Sequence, residues 1–194
     1  MPKLTRDFYE RDTLLVARDL LGKYLVHRVD GVPLCGRITE TEAYIGRMDK
    51  ACHAYGYKRT ARTETLFAPP GTAYIYLIYG MYHCLNFVTE LEGEPSAVLL
   101  RGLAPLEGMA EMARRRFGKE PEQLTSYQKK NFMNGPGKVC LALGLTRSQN
   151  GLDLTGEELF LLDDGAPCPP FYTGKRIGID YAEEAVDFPW RFYL

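Results

Sequence analysis

Glu40, Glu42 and Tyr44 stand two apart in the run ETEAY (Glu40–Tyr44). On a β-strand that spacing puts all three on one face. A carboxylate beside a tyrosine can act as a general base on water or stabilise a positive charge developing nearby. The plainer alternative is a pair of solvated charges on an edge strand. His53 follows in the next loop, where a neutral imidazole that both donates and accepts suits the edge of a nucleobase; a surface or capping histidine is its alternative. Asn134–Lys138 (NGPGK) offers backbone N–H groups and a lysine at a helix start, an arrangement that favours an anion such as a phosphodiester. It is not a P-loop, because Val139 stands where the hydroxyl residue would be, and an ordinary turn into a helix explains it equally well.

Gly71–Asn86 (GTAYIYLIYGMYHCLN) concentrates four tyrosines, Tyr74, Tyr76, Tyr79 and Tyr82. Tyr74 and Tyr76 alternate with Ile75 and Leu77, which reads as a strand. Tyr79 precedes Gly80, where the chain can turn sharply and leave a ring projecting. A projecting aromatic beside an aromatic-lined strand suits stacking on flat rings or wedging between them. A hairpin with a tyrosine-rich core face is the bland alternative.

The elements that must position these residues follow from pattern. Asp12 caps a helix over Thr13–Leu21, stopped at Gly22. Lys23–Val29 and Val32–Glu42 form a hairpin around Asp30-Gly31. Pro33 places the start of the second strand at an edge, and the carboxylates fall where the sheet ends. Gly46–Pro70 is a long loop with a helical turn near Met48–His53; a loop of that length is usually functional. The tyrosine hairpin comes next, then a turn over Glu92–Pro95 and a buried strand over Ser96–Leu103. Pro105–Phe117 is a helix with Leu106, Met109, Ala110, Ala113 and Phe117 on one face. Its Arg114, Arg115 and Arg116 complement the C-terminal dipole. Pro121–Lys130 is a second helix and Val139–Leu143 a third. Leu159–Leu162 and Lys175–Ile179 are late strands flanking a proline-rich loop, Asp163–Phe171.

The chain has 194 residues, 45% of them hydrophobic and 25% charged, with a net charge of −1. That suits one folded domain over residues 1–194 and counts against a protein that coats nucleic acid non-specifically. Basic clusters remain at Lys58-Arg59 with Arg62, at Arg114–Arg116 and at Lys129-Lys130, each read first as solvated surface. Five dispersed cysteines without a CxxC pair indicate reduced thiols. The three histidines and their neighbours do not match zinc spacings, so no metal site is expected. No segment resembles a signal peptide or a membrane span, and the expected location is the cytoplasm.

ETEAY, the following His53, YIYLIYGMYHCLN (Tyr74–Asn86), LLRGLAPLEG (Leu99–Gly108) and NGPGKVCLALG (Asn134–Gly144) stand in an order that resembles the alkyladenine (3-methyladenine) DNA glycosylases of the methylpurine-glycosylase type. The resemblance runs from about Thr13 to the C-terminus. It implies an α+β fold, a single mixed domain with a curved, largely antiparallel sheet and surrounding helices. It implies a monofunctional enzyme that flips alkylated or deaminated purines out of duplex DNA and hydrolyses the glycosidic bond, leaving an abasic site. By the same resemblance Glu42 activates the water and Tyr79 fills the gap left by the flipped nucleotide. Tyr44, His53, Tyr76 and Asn86 line the base pocket, Asn86 discriminating against the guanine amino group. Lys58, Arg59, Arg62, Arg101 and Lys138 are the candidate DNA contacts, with a structural ion pair as the alternative for Arg101. Glu64 departs from the pattern by adding a carboxylate to the basic loop. No cofactor or metal is implied, the partner is damaged duplex DNA, and the protein is a monomer. Two rivals use the same residues: a non-catalytic binder of damaged or single-stranded nucleic acid, and a hydrolase of free nucleosides or nucleotides.

Overall fold

A computed structural model describes residues 1–194. Helices α1 (Arg6–Tyr9) and α2 (Thr13–Asp19) lead into strands β1 (Tyr24–Val29) and β2 (Val32–Ile45). After the long loop come β3 (Ala73–Ile78), β4 (Tyr82–Thr89) and β5 (Ser96–Glu107), then α3 (Met109–Phe117), α4 (Ser126–Lys130) and α5 (Pro136–Leu143). Strands β6 (Leu159–Leu162), β7 (Tyr172–Gly174) and β8 (Arg191–Tyr193) close the chain. The sheet runs β3-β4-β5-β2-β1-β6, with β8 on β2 and β7 on β8, and every pairing is antiparallel. This is the expected α+β class with an open antiparallel sheet. Register shifts along β2 at Cys35/Gly36 and on both sides of Glu40 are the kind of bulge that bends a strand. No helix is long and apolar enough to cross a membrane.

Period-two alternation divides the sheet into two faces. Ala73 and Ile75, Leu85 and Phe87, and Val98 and Leu100 join Val16, Met112 and Leu143 of the helices in the largest buried cluster. Their neighbours Tyr74, Tyr76, Asn86 and Leu99 point the other way and line a cleft. The helices thus cover one face, and the long loop covers the other through Cys52, Leu66 and Phe67.

Local signals account for several elements. Asp12 accepts from Leu14 N and Leu15 N at 2.9 and 3.1 Å, capping α2. Asp30 and Gly31 carry φ of 50° and 81°, as a type I′ hairpin turn requires.

Six expectations need correction. The sheet does not end at the carboxylates: β2 continues to Ile45, with Glu42 held between β5 and β8. Pro105 does not start a helix; it pairs with Gly36 at a bulge, where its missing N–H is tolerated, and α3 begins after Gly108. The buried face of α3 is Met112 and Ala113, while Leu106 is exposed. Pro121–Lys130 splits into a 3₁₀ turn (Pro121–Gln123) and α4, because Thr125 caps a new helix through Gln128 N. Met48–His53 wraps around Asp49, whose carboxylate accepts Ile45 N and Ala51 N, and the 3₁₀ turns lie later at Tyr55–Tyr57 and Glu64–Phe67. Lys175–Ile179 is not a strand: Arg176 turns inward, and Ile177 N–H goes to the Glu42 carboxylate rather than to a neighbouring strand.

Candidate active site

On the face opposite the helices lies a cleft of about 860 Å³. Tyr44 from β2, His53 from the loop, Tyr74 and Tyr76 from β3, Asn86 from β4 and Arg101 from β5 all line it. His53 meets Tyr76 edge-on with ring centroids 4.6 Å apart, and Tyr74 lies 5.5 Å from Tyr76. Asn86 donates through Nδ2 to the carbonyls of Tyr74 (3.1 Å) and Cys84 (3.4 Å), which fixes its amide against the backbone.

Glu42 is not among the lining residues; it lies behind Tyr44, Arg101 and Ile177 with no exposed surface. The reading of a solvated edge charge is therefore excluded. Oε2 accepts from Tyr44 Oη at 2.7 Å and Oε1 from Ile177 N at 2.8 Å, while Arg101 Nε stands 3.5 Å from Oε1. A carboxylate has roughly four acceptor positions, so these three partners do not use all of them. Burial pushes the Glu42 pKa up; Arg101, the Tyr44 hydroxyl and Ile177 N–H pull it back, and Glu40 adds to the rise. Glu40 shares the same face and accepts from Arg101 Nε and Arg191 Nη1, each at 3.1 Å.

His53 is pushed down to about 4, first by burial and then by the Arg62 cation. Its imidazole is neutral near pH 7. Arg62 Nη2, which can only donate, approaches Nε2 at 3.4 Å, and this contact favours the tautomer with the ring proton on Nδ1, 3.1 Å from Tyr74 Oη. Burial also lifts the Tyr44 and Tyr76 phenols well above their ordinary range, and both stay protonated.

Tyr79 stands at the tip of the β3–β4 hairpin, 79% exposed, and its φ of 53° with 69° at Gly80 makes another type I′ turn. The candidate DNA contacts are scattered in character. Lys58 is exposed. Arg59 is held by Glu64 through two bonds of 3.0 and 2.6 Å. Arg62 lies over the Tyr76 ring at 5.3 Å. Arg101 is both part of the cleft wall and in the ion pair foreseen as its alternative. Lys138 lines the far end of the cleft and donates to Asn134 Oδ1 at 2.8 Å. Of the arginine triplet, Arg114 and Arg115 pair with acids, while Arg116 reaches the cleft. No group of three or more His, Cys, Asp and Glu side chains comes together as a metal site would require.

Tyr74, read from the sequence as part of the tyrosine-rich strand, is not assigned to the base pocket there, although it lines the cleft with Tyr76. Sequence reasoning also missed Ile177, whose bond to Glu42 spans 135 residues and leaves no local trace.

Residues 7–194 match the family model described as methylpurine-DNA glycosylase (MPG). Provisionally named 3-methyladenine DNA glycosylases are among the similar proteins. One from Clostridium perfringens strain SM101 is 57% identical over 195 residues, covering 99% of this chain and 95% of the relative. One from Alkaliphilus oremlandii strain OhILAs is 55% identical, covering 99% and 95%. One from Desulfitobacterium hafniense strain Y51 is 51% identical, covering 100% and 96%.

Proposed function

This chain belongs to the methylpurine-DNA glycosylase family and is a DNA-repair enzyme; from that premise we propose that it excises alkylated or deaminated purines from duplex DNA with a water activated by Glu42. The observation that carries the reading is the Glu42 carboxylate, fully buried behind an aromatic cleft and oriented by Tyr44 and Ile177. A base inside a duplex is out of reach and must be flipped, at a cost of about a few kcal/mol that is smallest for a damaged base. Tyr79, projecting from the hairpin, offsets part of that cost by stacking in the vacated space. Tyr44, Tyr76 and His53 hold the flipped base, and a cationic alkylpurine gains cation–π attraction there. The glycosidic bond breaks through a sugar cation, which the Glu42 charge stabilises while the carboxylate takes a proton from the attacking water. Asn86 at the cleft wall discriminates against the guanine amino group. The protein acts as one domain and as a monomer.

Single-turnover excision from a duplex carrying one hypoxanthine or etheno-adenine tests this, with Glu42→Gln alongside. The wild type should yield an alkali-labile abasic site, and Glu42→Gln should bind the duplex without cleaving it. Full activity in Glu42→Gln would remove Glu42 from the mechanism. Tight binding with no excision by either protein would point first to a narrower alkyl-purine substrate and second to the non-catalytic damage binder.

A further inference from the structure

Behind Tyr44 lies an ion pair that takes no part in the chemistry above. Asp49 and Arg176 are both buried, at 0% side-chain exposure, and neither lines the cleft. Arg176 Nη1 and Nη2 donate to Asp49 Oδ2 and Oδ1 at 2.5 and 2.8 Å. The same nitrogens donate to the carbonyls of Ala43 at 2.8 Å and Ala185 at 3.1 Å. The guanidinium also lies 4.7 Å from the Tyr44 ring centre and 5.1 Å from that of Trp190. Desolvating two such ions costs about several kcal/mol each, and an apolar pair of equal volume often serves stability as well. Stability alone gives no reason for charges at this place.

Their contacts supply another reason. Tyr44 donates to Glu42 and has Arg176 over its ring. Ile177, the other hydrogen-bond donor to Glu42, is the next residue after Arg176. Ala43, which accepts from Arg176, is the residue between Glu42 and Tyr44. Asp49 in turn fixes the turn that follows β2 by accepting Ile45 N and Ala51 N. Both hydrogen bonds to the Glu42 carboxylate therefore hang on one guanidinium, whereas Arg101 reaches it separately from β5.

We propose that the Asp49–Arg176 pair is a positioning device for the reacting carboxylate, clamping Tyr44 and the Ile177 backbone so that Glu42 meets the cleft in a single orientation. The proposal rests on the Glu42 reading given above. Its signature is in the pH profile as well as the rate. The charged and titratable groups facing Glu42 are Arg101, Glu40, Tyr44, Cys84 and Arg176. Loosening Tyr44 and Ile177 removes two bonds that hold the carboxyl pKa down, so the acid limb of excision should move to higher pH.

The test compares wild type, Asp49→Leu/Arg176→Met, Arg176→Lys and Glu42→Gln in single-turnover excision across pH on a duplex with one hypoxanthine. Binding to a duplex with an abasic site and thermal unfolding are measured in parallel. The charge-free double variant should unfold cooperatively and bind as the wild type does. It should excise about 100-fold more slowly, the scale expected for a misplacement near 1 Å, with its acid limb raised. Arg176→Lys keeps the charge but loses the planar fork, and should fall between the two in rate and in acid limb. Unchanged rate and acid limb in the folded double variant, with Glu42→Gln inactive, would overturn the positioning role alone. Slow excision with an unmoved acid limb would reduce the pair to a structural one and overturn it too. Should the double variant not fold, Arg176→Lys decides by the same two readouts. Full activity of Glu42→Gln would instead sink the underlying reading.

Discussion

At the residue scale, Glu42 is held between burial, which favours its acid, and three partners that favour its anion. A general base must be ionised, so excision should fall as pH drops through this raised pKa, above the ordinary glutamate range. Arg101 is the largest influence holding that pKa down. Arg101→Gln should therefore raise it further and move the acid limb to still higher pH, read from single-turnover rates at saturating enzyme. An unmoved limb would mean that Glu42 is not the titrating base. His53 behaves in the opposite sense. Its folded pKa of about 4 lies below the ordinary histidine value of 6.5, so the unfolded chain binds the proton first. Stability should be full above pH 6.5 and decline as pH falls from there towards about 4. His53→Gln should flatten that part of the unfolding-versus-pH curve. Much of this site could be read from residue types: ETEAY puts its carboxylates and tyrosine on one face whatever the fold. The depth of Glu42 could not, because burial depends on Arg101 and Ile177 arriving from distant strands and loops.

At the element scale, the β3–β4 hairpin sets an aromatic ring on a position that its backbone disfavours. Tyr79 adopts φ of 53°, a left-handed conformation that costs a non-glycine residue about 1–3 kcal/mol. Asn-Gly is the preferred pair for such a turn. Tyr79→Asn should therefore stabilise the protein by about 1 kcal/mol, since the exposed ring buries little, while weakening recognition of a damaged base. Calorimetry and duplex binding measured together check both halves; a destabilised variant would mean that the ring is packed. The Tyr79-Gly80 turn, the Asp30-Gly31 hairpin and the Asp12 cap were all legible because each depends on residues a few positions apart. Helix and strand limits that depend on distant partners were not. Pro105–Glu107 extends β5 because β2 lies beside it, and Lys175–Ile179 fails as a strand because Arg176 finds Asp49.

At the scale of the whole molecule, a net charge of −1 leaves affinity for DNA to the distribution of charge rather than its sum. Lys58, Arg62 and Lys138 are the cations offered here as phosphate contacts, and removing each should lower the slope of log affinity against log salt by about one. Arg59 is neutralised by Glu64 in the free protein. Arg59→Gln should change that slope least, and Glu64→Gln should strengthen binding. Equal effects at all four cations would show that the Arg59–Glu64 pair opens on DNA. The hydrogen-bond donors around Glu42 carry a further consequence. One comes from two residues away and the other from 135 residues away. Closing so long a loop belongs late in folding, after local structure has formed. On the proposed mechanism, a chain caught part-folded holds a carboxylate with nothing to aim it. On the same mechanism, full cutting power requires that the 135-residue loop from Glu42 to Ile177 has closed.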